Sequence, residues 1–266
     1  MQTTFQLNKD NYHLNQANKH FMSVSQFKSA IECEARAFAE LEGAYERPSS
    51  LALTVGSYTH SAFESDQVFD EFVEENRSVI FNTRDKKYAD FKQADSMIEA
   101  IKNDRFAMFA LEGEKEVIYT GELFGVLWKI KVDAINHGRK TFTDLKTTQS
   151  LSKRYWSDKY SKYVSFVEAY DYVLQMAIYR EIIYQNTGAY YNPYIVAVTK
   201  ETPPDKAILH FDISRFEFEL EYAKEHLPSI IAAKSGNKDP KRCEVCEYCR
   251  ATKQLKNTFE IEFLLK

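Results

Sequence analysis

No apolar run in these 266 residues approaches the length of a membrane span, and the first twenty, Met1 to His20, are polar and rich in Asn and Gln, so neither a transmembrane segment nor a secretory leader is expected. The expectation is a soluble, cytoplasmic protein. An excess of positive charge is also missing: 35 Lys and Arg stand against 39 Asp and Glu, a net charge of -4. No global field draws a polyanion in, and nucleic acid would have to find a local basic groove. Internal repeats and low-complexity linkers are absent. Cysteine is scarce, and three of the four (Cys243, Cys246, Cys249) lie within seven residues, too close for a disulfide framework. That clustering, with Cys33 far away, points to metal. Apolar residues make up 44% of the chain and Tyr and Phe are plentiful, which suits a globular domain with a deep core.

Ser23-Val24-Ser25-Gln26 has the form of a capping box, followed by apolar positions at helical spacing, so a helix is expected over 23–42 with Cys33 inside it. A second helix is read from Leu53 to Phe69, with His60 and Glu64 on one face, and a third, charged and exposed, over 84–104. β-branched and aromatic runs at 117–119, 123–135 and 141–147, punctuated by glycines, read as antiparallel strands. A long helix from Tyr163 to Tyr184 with Gly188 as C-cap, strands at 192–199 and 207–211, and a helix over 213–234 complete the pattern. The order implies an α/β fold: a mixed central β-sheet flanked by helices, one domain over 1–266 with its core at about 53–212. The helix at 23–42 and the cysteine segment 243–250 would form an accessory clasp, the termini joined by a cysteine metal site.

A two-residue turn at His137-Gly138 would set Asp133 opposite Phe142, with Asp144 on the same face, diagonally offset by roughly 7 Å. Lys146 would share that face, and Leu145 would point the other way and offer its carbonyl. Such carboxylates can hold Mg2+ or Mn2+, with Lys146 orienting or deprotonating a water, His60 adding a nitrogen ligand and Glu64 holding a further water. An Asp-x-Lys triplet arises by chance about once in a chain this long, so the combination carries the argument. Between Arg139 and Lys162, the cations Lys153, Arg154, Lys159 and Lys162 interleave with Tyr155 and Trp156, a mix suited to phosphates and frayed bases.

Gly56-Ser57-Tyr58-Thr59-His60, Asp133, Asp144-Leu145-Lys146 and Gln175-Met176-Ala177-Ile178-Tyr179 together resemble the ordered motifs of the RecB-like branch of the PD-(D/E)xK nucleases. Val132 stands where the motif's proline would be. Asn11-Tyr12, the run 23–28 leading to Cys33-Glu34, and the closing Cys-x-x-Cys-Glu-Tyr-Cys-Arg are similar to phage nucleases of the RecE type (exodeoxyribonuclease VIII). The resemblance implies a restriction-endonuclease-like core and Mg2+-dependent exonuclease action on linear duplex DNA ends, on the 5′ strand. It implies Asp133, Asp144 and His60 as metal ligands, Lys146 beside the water, and Gln175 and Tyr179 positioning DNA or the lysine. It also implies a homo-oligomeric ring, a single-strand annealing partner in phage recombination, and the host cytoplasm as location. A structure-specific endonuclease, a noncatalytic DNA-binding scaffold and a zinc-binding regulator are the alternatives.

Cys33, Cys243, Cys246 and Cys249 supply four thiolates, enough for a 4Fe-4S cluster or a tetrahedral Zn2+. One early and three late cysteines is similar to the iron-sulfur clasp of AddB-type and CRISPR adaptation nucleases, although their last spacing is longer. Zinc more often uses paired Cys-x-x-Cys units, so iron-sulfur is the expectation.

Overall fold

Phe124 and Gly125, with φ of 56° and 74°, close a two-residue hairpin of the kind that matches the twist of antiparallel strands. It joins β1 (Glu114–Leu123) to β2 (Val126–Asn136), and β3 (Thr141–Thr148) pairs antiparallel with β2. The computed structural model describes residues 5–48, 50–255, 257–258 and 260–264. β6 (Asn192–Thr199) lies parallel to β3 and β7 (Lys206–His210) antiparallel to β6, giving a mixed five-stranded sheet in the order β1-β2-β3-β6-β7. A separate two-stranded hairpin, β4 (Tyr155–Ser157) with β5 (Lys162–Val164), stands outside it.

The turn expected at His137-Gly138 is a four-residue one. Asn136 Oδ1 accepts the Arg139 N–H at 2.9 Å, the Arg139 guanidinium lies 3.8 Å from the Phe109 ring centroid, and Lys140 takes the left-handed conformation with φ 52°. Asn136 consequently faces Thr141, and the register moves by two residues.

Helices cover both faces of the sheet. On one, α2 (Val24–Leu41), α9 (Tyr172–Thr187) and α10 (Ser214–Lys234) enclose a core with Phe142, Ile195 and Ala197. On the other, α3 (Leu51–Glu64), α6 (Ala89–Lys102) and α7 (Arg105–Ala110) pack on Leu145, Val196 and Val198. Neighbouring residues of β3 and β6 thus enter different cores, as strand alternation requires. The short helices are α1 (Asn15–His20), α4 (Asp66–Glu75), α5 (Arg77–Ile80), α8 (Phe166–Ala169) and α11 (Glu247–Ala251). Among the described residues no helix is long and apolar enough to cross a membrane.

Several helices differ from expectation for local reasons. The helix read over 53–69 breaks at Ser65, which is extended and whose side chain accepts the Val68 N–H, starting α4 afresh. The third helix is not an exposed one: Phe91, Ala94, Met97 and Ile101 bury a continuous face. Tyr163 belongs to β5, and α9 starts only at Tyr172, after the Ser165–Glu168 capping box and left-handed Asp171; Gly188 (φ 69°) ends it as foreseen. Ser23 caps α2, but Gln26 turns its amide to Asn18 and Phe21. α2 is also interrupted at Cys33, which is extended (φ -166°, ψ 104°).

Candidate active site and cysteine cluster

The β2–β3 ladder ends at the Ala134–Thr143 pair. One step on, the Asp133 carboxylate takes over the role of a ladder carbonyl: its Oδ2 accepts the Leu145 N–H at 2.8 Å. β1 is distorted at the same level. Lys115 pairs with Ala134 and Val117 with Val132, but Glu116 between them, opposite Asp133, has φ 54°. Strand alternation breaks here, since Val132 and Ile135, three apart, enter the same core. Asp133 and Asp144 therefore meet where the sheet opens, and not by the continuous same-face ladder expected from the sequence.

Asp144 is almost wholly buried. Its Oδ1 accepts the Gln175 amide at 2.6 Å, and its Oδ2 pairs with the Lys146 ammonium, with Nζ 2.5 Å away. His60, from α3, places Nδ1 3.4 Å from Asp133 Oδ2. Burial, then the charge of Asp144, raise the Asp133 carboxyl well above the usual carboxylate range. Burial, then Lys146, lower His60, which keeps the imidazole neutral and fit to bind a cation. For Lys146 burial opposes the charge, but Asp144 and Asp133 outweigh it and hold the ammonium well above its ordinary value. In this state Lys146 orients and neutralises; it does not accept a proton.

Of these groups His60, Asp133 and Lys146 line a cleft of about 790 Å³ whose walls include Ser57, Glu64, Glu116, Lys131, Thr147 and Tyr172, with Asp144 and Gln175 buried behind them. Glu64 faces it but is paired with Lys9 at 2.8 Å. Gln175 reaches Asp144 and not Lys146, whereas Tyr179, one turn on, stacks on Phe142 (centroids 6.5 Å apart), and burial raises its phenol well above the usual range. Three neighbours were invisible in the sequence. Glu116 lines the cleft and pairs with Lys131. Tyr172 has Lys146 Nζ 4.8 Å and Lys28 Nζ 5.2 Å from its ring centroid. Lys28, on α2, is lowered to about 8, by burial first and Lys146 second. Nothing in an ordinary Glu-Lys-Glu strand or a polar helix start marks them.

The basic and aromatic segment is sorted by the β4–β5 hairpin. Lys153, Arg154, Trp156 and Lys162 are exposed. Tyr155 turns inward onto Tyr170, a cleft residue, with centroids 5.4 Å apart. Lys159 is withdrawn from any phosphate-binding role: it is committed to Asp171, at 2.8 Å, and to buried Glu219.

The four cysteines converge, with all sulfurs within 4.8 Å of one another, Cys33–Cys249 3.5 Å and Cys243–Cys249 3.9 Å apart. The break in α2 exposes its backbone for this purpose: Ala35 N–H donates to the Lys241 carbonyl at 3.0 Å, and buried Glu34 accepts the Lys241 N–H at 2.8 Å. Burial pushes the Cys33 thiol up to about 12. Burial also works to raise Cys243, but the Val245 and Cys246 N–H groups prevail and lower it to about 6.

Residues 23–252 match the family model of a PDDEXK-like domain of unknown function (DUF3799). The crystal structure of a candidate exonuclease from Eubacterium rectale is similar at 37% identity, with 98% of each chain covered and a TM-score of 0.92. A second solved structure, SSO0001, aligns at 15% identity over 88% of this chain and 96% of its own, and its TM-score of 0.29 carries no argument. No curated protein matches the sequence.

Proposed function

The chain belongs to the PDDEXK-like family DUF3799, and from that premise we propose that it is a metal-dependent DNA exonuclease acting at the Asp133–Asp144–Lys146 cleft. The observation that carries this reading is the convergence of Asp133, buried Asp144, Lys146 and His60 where the sheet opens, with His60 Nδ1 3.4 Å from Asp133 Oδ2 and Lys146 Nζ 2.5 Å from Asp144 Oδ2. Two carboxylates, a neutral imidazole and the Leu145 carbonyl form a hard donor set suited to Mg2+ or Mn2+, which keep waters and take a phosphate oxygen. When bound, such an ion polarises the phosphodiester and lowers the pKa of a water.

The chain's own residues do the rest. Gln175 fixes the Asp144 carboxylate by holding Oδ1. Lys146, kept cationic, orients the attacking water and offsets charge on the pentavalent phosphate. His60 steadies Asp133 and adds a nitrogen ligand, and Lys153, Arg154 and Lys162 receive flanking phosphates. The likeness to RecE-type nucleases extends the proposal to the 5′ strand of duplex ends, and to a ring-shaped homo-oligomer and a strand-annealing partner in phage recombination.

The test is release of labelled nucleotides from linear duplex DNA in Mg2+, Mn2+ or chelator, with closed circular DNA in parallel. Ion-dependent release from linear DNA alone, abolished by Lys146→Ala, is expected. Cutting of circles would favour the endonuclease, and no cutting with retained binding the noncatalytic scaffold.

For the cysteines we propose one tetrahedral Zn2+ in preference to the 4Fe-4S cluster. A Zn–S bond of about 2.3 Å sets tetrahedral S···S edges near 3.8 Å, close to the 3.5 and 3.9 Å separations seen. A cuboidal cluster holds its four thiolates further apart.

A further inference from the structure

Trp156 and Tyr163 face each other across the β4–β5 hairpin, and their rings meet edge to face with centroids 5.5 Å apart. Both lie on its outer side, 58% and 65% exposed. Large aromatics so exposed on a rigid element mark a contact surface, and this element is rigid. Tyr155, on the inner side, packs on Tyr170, and Val164 is fully buried. The loop between the strands is pinned from below by Glu219, 2% exposed, which accepts from both Lys159 and Tyr160. The indole is itself held, its Nε1–H donating to Asp158 at 2.8 Å.

Cations frame the pair. Lys153, Arg154 and Lys162 are exposed and have no carboxylate partner among the described ion pairs, and Asp158, the one acid in the loop, is engaged by Trp156. A flat aromatic surface ringed by uncommitted cations complements a strand whose bases are unpaired and whose phosphates lie alongside. Duplex DNA hides its base faces and could use only the cations. The hairpin also adjoins the proposed catalytic cleft, since Tyr155 packs on Tyr170 of its wall and Lys153 bonds Gln149 of the same wall at 2.6 Å.

We infer that the outer face of the β4–β5 hairpin is a stacking platform for unpaired nucleotides, so that the protein recognises the single-stranded tail of a DNA end. The inference rests on the nuclease reading for the identity of the polymer and goes beyond it in naming the part that is gripped. The platform holds the tail while the duplex end faces the cleft.

The experiment is binding in chelator, where nothing is cut, of a blunt duplex and of the same duplex with a six-nucleotide oligothymidine tail. The parent, Trp156→Ala/Tyr163→Ala and Trp156→Phe are compared. The parent should prefer the tailed duplex, the double variant should lose that preference by roughly 5- to 150-fold per stacked base, and Trp156→Phe should restore most of it. The only other tryptophan, Trp128, is fully buried, so saturable quenching of tryptophan emission by oligothymidine should report Trp156 directly. Equal affinity for blunt and tailed ends, an unchanged preference in the double variant, or binding without quenching would overturn the inference. Digestion of the same duplexes in Mg2+ judges the nuclease reading separately.

Discussion

Replacing Asp133 by Asn should make the ion-free protein more stable while removing its activity. Asp133 and Asp144 stand on neighbouring strands at the opening of the sheet, and Asn keeps the oxygen that accepts the Leu145 N–H. Two carboxylates roughly 5 Å apart, about one strand spacing, repel by about 3 kcal/mol at an effective dielectric constant of 20. The attraction between Lys146 and Asp133, lost in the variant, offsets roughly half of this, leaving a gain of about 1–2 kcal/mol, or a rise in Tm of roughly 2–8 °C for a chain of this size. The sign depends on pH. The folded Asp133 carboxyl lies above its unfolded value, so its stabilising share is complete at acid pH and is lost as pH rises through the folded value. The variant's advantage should accordingly appear near pH 8 and vanish towards pH 4.

Mn2+ should invert the order. At a hundred times its Kd a cation stabilises the parent by about 2.7 kcal/mol, whereas the variant lacks the carboxylate that would hold it. Thermal unfolding in chelator and in Mn2+ at both pH values reads out all four quantities. A variant less stable than the parent in chelator at pH 8, or one that keeps the full Mn2+ shift, would refute the assignment of Asp133.

Two further outcomes are expected. The purified protein should be colourless with one zinc per chain, and Cys249→Ser should lose the zinc and several kcal/mol of stability; a brown protein absorbing near 400 nm would restore the iron-sulfur assignment. Lys153→Glu/Arg154→Glu should weaken DNA binding and flatten the plot of log K against log salt by roughly 0.7–0.9 per lost phosphate contact; an unchanged slope would remove both residues from the DNA path.

The mixed sheet and most helices were legible because they rest on period and punctuation: β-branched runs, Gly188 as a C-cap and the Ser23 cap. That Asp144 and Lys146 share a face followed from their spacing of two on a strand, whereas the Gln175 amide reaches Asp144 and not the lysine. What escaped depends on long-range contact. The turn at His137 was misjudged because Gly138 favours a tight hairpin, and only Phe109 and Glu112, far back in the chain, explain why Arg139 opens it. Lys159 read as a free cation because its partner Glu219 lies sixty residues on. The segment 84–104 read as exposed because its charges outnumber its apolar positions, though the apolar residues of α6 fall on one face.

The ion pairs of the cleft bear on what a divalent ion would add to the proposed reaction. Asp144 is paired with Lys146 and Glu116 with Lys131, so the ammonium groups nearest the site carboxylates are already engaged. A phosphodiester entering beside Asp133 and Asp144 would find Lys146 and Lys131 held by acids. A divalent cation between Asp133 and Asp144 would release Lys146 and supply the positive charge that the phosphate lacks. Lys28 also links the cleft to the far end of the chain. It donates to the Tyr170 carbonyl from α2, and five residues later the same helix breaks at Cys33, where Glu34 and Ala35 bind Lys241. The cysteine cluster therefore adjoins the helix that carries Lys28, whose Nζ lies 5.2 Å from the ring of Tyr172 on the cleft wall, so a metal bound there would bear on a site remote from it.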